Sequence, residues 1–138
     1  MGLTDKERKI VVQFRIEKAK KVFSEIALLI ENTLWQTAAN RLYYACYYVV
    51  SALLIQNGIE VRTHHGVINQ MGLLFVKTGL ISPENGELYQ RLFELRQTGD
   101  YSDWINVEEE DIKPYVEPAQ QFITTIENLI NKDEHPNS

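Results

Sequence analysis

The chain has 138 residues, 44% of them hydrophobic and 24% charged, with a formal net charge of −5. That is the size and composition of one globular domain, too apolar for a disordered segment and large enough to bury a core without covalent staples. Cys46 is the only cysteine, which excludes an intramolecular disulfide and a multi-cysteine zinc site and suits a reducing cytoplasm.

The charge is spread unevenly. Residues 1–23 carry seven basic side chains against three acidic ones, and residues 100–138 carry ten acidic against two basic. Sequence-independent nucleic-acid binding depends on neutralising phosphates, so a net-acidic domain is poorly suited to it. The basic N-terminal stretch still offers a local patch, or simply one of two oppositely charged, solvated faces. No run is long and apolar enough for a signal peptide or a membrane-spanning helix, so a cytoplasmic protein without membrane contact is expected.

Five helical segments follow one another in the chain. In the first, Val12, Ile16, Ala19, Phe23, Ile26 and Ile30 recur at spacings of three and four, the apolar stripe of a helix packed on one face. Thr4 and Glu7 form a capping box at its start. The second, about residues 34–57, is apolar nearly all round, with Ala38, Ala45 and Ala52 on one line. Such a helix belongs at the centre of a bundle, and Asn57-Gly58 supplies its stop. Thr63 caps a third, with Val67, Ile68, Met71, Leu74 and Phe75 inward and Gly79 beyond its end. Ser82-Pro83 opens a fourth, striped by Leu88, Leu92 and Leu95 and ending near Gly99. The fifth carries Ile112, Tyr115, Ala119, Phe122, Ile126 and Leu129. Pro114 and Pro118 each remove a backbone donor, so this helix is expected to kink or to begin properly only near Pro118. The expectation is an all-α, single antiparallel bundle of about five helices over residues 1–131, with residues 132–138 as a disordered tail.

Phosphate-binding glycine loops and Cys-x-x-Cys pairs are missing from the sequence, as are the paired Glu-x-x-His motifs of a di-iron bundle. His64 and His65 are adjacent, so on a helix they diverge by about a hundred degrees and cannot jointly hold an ion. No metal and no cofactor is expected.

Three clusters carry possible chemistry. In the central helix, Asn40, Tyr44, Tyr47 and Ser51 form one polar-aromatic line, with Arg41 beside it. It is either a tyrosine-rich core or dimer seam, or a groove whose aromatic faces stack on the bases of a nucleotide or RNA. Arg62-Thr63-His64-His65-Gly66 is a capped helix start, or an anion site to which His64 or Arg62 adds charge. In the third, Arg96 and Asp100 stand four apart, an ordinary ion pair on a continuing helix. If Gly99 ends the helix, a loop presents Arg96, Asp100 and Tyr101 instead.

Taken together, AANRLYYA at 38–45, THHGV at 63–67, FVKTGLI at 75–81 and FELRQTGDY at 93–101 resemble the HEPN domain, above all its small stand-alone members in bacteria and archaea. The resemblance covers about residues 20–130. It implies a helical bundle, commonly a homodimer, and in many members a minimal nucleotidyltransferase partner in a toxin–antitoxin pair. Active members are metal-independent ribonucleases that use an arginine followed four to six residues later by a histidine. Arg96 matches that arginine, but residues 100–102 are Asp100, Tyr101 and Ser102. Some paired members also carry a tyrosine two residues after the histidine, which the partner modifies with AMP. Tyr101 lies near that register without occupying it.

The missing histidine argues against the family's ribonuclease chemistry in its usual form, because 2′-hydroxyl attack wants a group that exchanges protons near neutral pH. The resulting expectation is a binding module for a nucleotidyltransferase partner, a nucleotide or RNA, with Asn40, Arg41, Tyr44, Tyr47, His64, Arg96, Asp100 and Tyr101 as binding residues. The alternatives are a divergent ribonuclease using Arg96 with His64 or Asp100, and a purely structural helical adaptor.

Overall fold

A computed structural model describes residues 2–134. It contains α1 (Asp5–Ser24), α2 (Ile26–Glu31), α3 (Trp35–Gln56), α4 (His64–Met71) continued by a π-helical turn (Gly72–Val76), α5 (Pro83–Tyr101) and α6 (Glu109–Glu134). There is no strand among the described residues, so the all-α bundle stands. α3 is its axis: α1, α5 and α6 all pack on it. Twelve of its 22 residues are buried, and Ala38, Ala45 and Ala52 are fully so, which lets neighbouring helices approach closely.

The expected signals at the helix ends are present. Thr4 Oγ1 accepts from Glu7 N at 3.1 Å while Thr4 N donates to Glu7 Oε1 at 2.9 Å. Thr63 and Ser82 cap α4 and α5 by accepting from Gly66 N and Asn85 N. Gly58 and Gly79 take the left-handed conformation, at φ 73° and 85°. Lys20 Nζ meets Glu127 Oε2 at 2.7 Å, so the basic N-terminal and acidic C-terminal helices pair across the bundle.

Four expectations need correction. The first segment is broken at Glu25, whose N–H reaches only to Val22 O, the third residue back. Val22 and Ile26 are both buried, so the stripe continues across the break. Leu74 points outward because the π turn admits an extra residue and rotates the register after Met71, although Phe75 is buried as expected. α5 does not end near Gly99 but runs to Tyr101. Gly99 is there for close packing: a Cβ on it would stand 3.2 Å from Val107 Cγ2 and 3.3 Å from Gln36 Cγ. Finally, α6 starts at Glu109 and continues through both prolines. The carbonyls that lose a partner to Pro114 and Pro118 belong to Glu110 and Pro114, both exposed, where water replaces the missing bond. Burial of Ile112, Ala119, Phe122, Ile123, Ile126 and Ile130 on one face offsets that cost. The backbone of α6 is described through Glu134, and the rest of the expected tail, residues 135–138, lies outside the described residues.

Because α3 is enclosed, its aliphatic side chains carry a large share of the stability. Leu53→Ala is expected to cost about 2–5 kcal/mol in urea unfolding. Phe14→Ala, at a side chain 62% exposed, should change stability by no more than about 0.5 kcal/mol.

Candidate functional site

Two helical faces meet at the site. α3 contributes Asn40, Tyr43, Tyr44 and Tyr47, and α5 contributes Tyr89, Phe93, Arg96 and Asp100, each pair of neighbours three or four residues apart or side by side on the helix surface. The start of α4 adds His64 and His65 from above. Arg96 is the hub. Its Nη2 donates to the Tyr44 hydroxyl at 3.1 Å and to the Tyr101 hydroxyl at 3.2 Å. Its Nε lies 3.0 Å from Asp100 Oδ2, an ion pair without the alignment of a hydrogen bond. Asp100 Oδ2 also accepts from Asn40 Nδ2 at 3.0 Å, tying α5 to α3. The guanidinium lies 5.3 Å from the Tyr44 ring centre and 5.2 Å from that of Tyr101, within cation–π range.

A second chain of contacts runs inward from His64. The Tyr43 hydroxyl is 2.7 Å from His64 Nδ1, and Tyr89 donates to the Tyr43 hydroxyl at 3.3 Å. One hydrogen joins the Tyr43 hydroxyl to Nδ1, donated by Tyr43 in one imidazole tautomer and by the ring in the other. The rings of Tyr43, Tyr44 and Tyr47 surround the imidazole at 5.5, 5.8 and 5.2 Å. Burial, then the Arg96 and His65 charges, lower the His64 pKa below its ordinary value, so His64 is neutral at pH 7. Burial pushes the phenols of Tyr43 and Tyr89 upward, keeping both protonated donors.

The fold thus gathers Asn40, Tyr44, Tyr47, His64, Arg96, Asp100 and Tyr101 at one place. Arg41 is half-buried beside them and makes no hydrogen bond or ion pair among the described residues. Two clusters take the first of the readings that the sequence offered. Arg96 and Asp100 pair along the last turns of α5, which continues to Tyr101, and Thr63 caps the start of α4, its Oγ1 taking the Gly66 N–H while His64 turns inward onto the tyrosines. Tyr43, Tyr89 and Phe93 join the site without having been singled out. The signal for Tyr89 and Phe93 lies in register, since Tyr89, Phe93, Arg96 and Asp100 repeat at four, three and four, as Asn40, Tyr44, Tyr47 and Ser51 do. Among the described residues no group of three or more His, Cys, Asp or Glu could hold a metal ion, and no helix is long and apolar enough to cross a membrane.

The molecule is thus an all-α bundle that concentrates an arginine, a carboxamide and a histidine on one tyrosine-rich face. The HEPN domain model matches residues 12–129, and the chain belongs to that family. It is 38% identical over 124 residues to a UPF0332 protein of Thermotoga maritima, covering 90% of this chain and 94% of that one. Two Methanocaldococcus jannaschii proteins are also similar. "Putative toxin MJ0605" is 31% identical over 131 residues, covering 95% of this chain and 97% of its own length. "Putative toxin MJ0142" is 30% identical over 119 residues, covering 86% and 81%.

The hydrogen-bond chain separates the tyrosines by role. Tyr43→Phe strips the buried Tyr89 hydroxyl of its acceptor and should cost about 1–2 kcal/mol in chemical denaturation. Tyr47→Phe removes a hydroxyl with no hydrogen bond among the described residues and should be near neutral. The histidine gives a pH signature of definite sign. Its folded pKa lies below the unfolded value of about 6.5, so the unfolded chain takes up the proton first as pH falls. The stabilisation from neutral His64 is therefore complete above that value and is lost as pH falls through it. Wild type and His64→Gln should differ most in unfolding free energy at pH 7–8, with the gap closing toward pH 5.

Proposed function

We propose that this HEPN protein is a binding module of the toxin-like class that holds single-stranded RNA, or a nucleotide unit of it, on the Arg96 face. The observation that carries this reading is the Arg96 guanidinium held between the rings of Tyr44 and Tyr101, with Tyr101 69% exposed at the edge. Trp104 follows, 94% exposed, in a turn where Ser102 Oγ accepts from the backbone N–H of Trp104 and Ile105. Arginine supplies phosphate contacts and exposed aromatic faces stack on bases, the combination that single-stranded RNA recognition uses. Two relatives bear toxin names, which supports a role of that kind here. In this reading the protein works in the cytoplasm as a homodimer, with the Arg96 faces of two copies forming one groove and a minimal nucleotidyltransferase as its partner.

Catalysis is the weaker reading on chemical grounds. His64 Nδ1 is engaged by the Tyr43 hydroxyl. Asp100 is a carboxylate engaged by both Arg96 and Asn40. Both groups thus hold structural bonds, His64 through Nδ1 and Asp100 through Oδ2.

Fluorescence anisotropy with a labelled single-stranded RNA tests the proposal. Arg96→Ala and Tyr101→Ala should each weaken binding by about tenfold, given roughly 1–3 kcal/mol for a stacked base. Equal affinity in wild type and both variants would remove this face as the site. The same RNA, incubated with EDTA, reads the competing activity: cleavage by wild type that Arg96→Ala abolishes would make the protein a ribonuclease.

A further inference from the structure

His64 stands where a proton can reach it and where its neighbours are poorly arranged to receive one. The residue is half-buried, and its Nε2 makes no hydrogen bond among the described residues. Its ring lies 5.5, 5.8, 5.2 and 6.1 Å from the rings of Tyr43, Tyr44, Tyr47 and Phe93, a seat with aromatic walls. From α3 it meets the phenols of Tyr43, Tyr44 and Tyr47, and from α4 the adjacent His65. From α5 it meets the charge of Arg96, whose guanidinium lies 6.0 and 5.3 Å from the Tyr43 and Tyr44 ring centres. Asp100 is committed to Arg96 and Asn40. No carboxylate stands within ion-pair distance of the imidazole among the described residues.

Counting hydrogens shows what a proton on His64 does. Two links, Nδ1 to Tyr43 and Tyr43 to Tyr89, hold one hydrogen each. When Nδ1 bears no hydrogen, the two phenolic hydrogens fill both links. The imidazolium bears hydrogen on both nitrogens. Three hydrogens then compete for two links, and one is left without an acceptor. Tyr43 and Tyr89 are both 0% exposed, so the leftover hydrogen has no route to water and its burial is costly. The new charge also faces the Arg96 guanidinium and lies in the first turn of α4, where the helix dipole is positive. Burial, then the Arg96 and His65 charges, already hold the His64 pKa below its ordinary value.

The backbone around the residue is held independently. Thr63 Oγ1 caps α4 through Gly66 N. Gly66 lies so close to the preceding connection that a Cβ on it would stand 2.5 Å from Val61 Cγ1. Val67, three residues beyond His64, is buried. The imidazole can therefore leave by rotation of its own side chain while the first turn of α4 stays in place.

We propose that His64 is a pH-operated gate on the tyrosine face, seated among Tyr43, Tyr44 and Tyr47 when neutral and turned out to solvent when protonated. Its departure uncovers the rings beside Arg96 and enlarges the aromatic surface open to a ligand. The conformational step needs no ligand, and only its regulatory consequence rests on the reading of the Arg96 face given above.

NMR of the full-length, ligand-free protein between pH 8 and pH 4.5 tests the step. His64 is expected to titrate below about 6.5. Contacts between the His64 and Tyr47 ring protons, present at pH 8, should vanish in the same step. Tyr43→Phe removes the hydroxyl link and should move the His64 titration up toward about 6.5. In His64→Gln the tyrosine ring signals should stay constant over this range, and circular dichroism establishes that both variants are folded. Ring contacts that persist once His64 is protonated would overturn the proposal. Tyrosine shifts of equal size in His64→Gln would do the same.

Labelled single-stranded RNA then reads the consequence. The gain in affinity from pH 7.5 to pH 5 should be about fivefold larger in wild type than in His64→Gln, the low end of couplings between sites. Equal gains would overturn the regulatory role. Absence of RNA binding in both proteins would instead remove the RNA reading, and the ring contacts would decide the gate alone.

Discussion

Everything in this molecule follows from enclosing a helix that carries four tyrosines and an asparagine. α3 is surrounded by α1, α5 and α6, so polar atoms on its buried side, above all the Tyr43 hydroxyl, cannot turn to bulk water. A buried polar group without a partner costs free energy comparable to a lost hydrogen bond, often more. The bundle meets that demand by setting a matching polar line on α5 and a histidine at the head of α4. Asn40 is satisfied by Asp100, Tyr44 by Arg96, and Tyr43 by His64 and Tyr89. The site is thus the place where the core's unmet hydrogen bonds are met, and the residues that stabilise the interior are those positioned to meet a ligand.

Arg96 shows how this couples stability to function. Its side chain is only 11% exposed and that of Asp100 22%, so the pair is largely withdrawn from water. Half-withdrawn ion pairs stabilise weakly on their own because desolvation offsets attraction. The more informative feature is the ring of Tyr101, exposed and held to Arg96 by one hydrogen bond. A base that stacked on this ring would extend the guanidinium–aromatic pair without exposing a new charge. Asp100 would go on neutralising Arg96, which tempers its pull on phosphate and favours stacking over pure charge attraction.

The bundle was legible in the sequence because the helices around α3 show their inward faces at a spacing of three or four, and α1, α4 and α5 show their starts by caps. The all-round apolar α3 identified itself as the axis for the same reason. What local reasoning missed were places where a distant residue decides. Gly99 reads as a helix stop, yet it is a contact point for Val107 and Gln36, which the local sequence does not disclose. Pro118 reads as a helix start, yet apolar burial further along α6 holds the earlier turns in place. Leu74 fits the stripe until the π turn shifts the register by one residue. In the site, Asn40, Tyr44, Tyr47, Arg96 and Asp100 could be named from spacing. Tyr43 could not, because its role exists only where two helices meet.

The two regions of chemistry then divide the charge problem that composition raised. An acidic protein can bind an anion only where its cations are not already spent. α1 spends Lys20 on Glu127 and keeps Lys18 and Arg15 over the Tyr48 ring, 4.7 and 5.9 Å from its centre, while Arg15 and Arg62 also line a concavity with a single carboxylate. On the other side, Arg96 is spent on Asp100 and compensates with aromatic surface. One face suits stacking and the other suits phosphate, and the tyrosines of α3 run between them. A nucleotide chain needs both kinds of contact, and Tyr47, whose ring lines the concavity and stands 5.2 Å from the His64 imidazole, makes the distance between them one side chain.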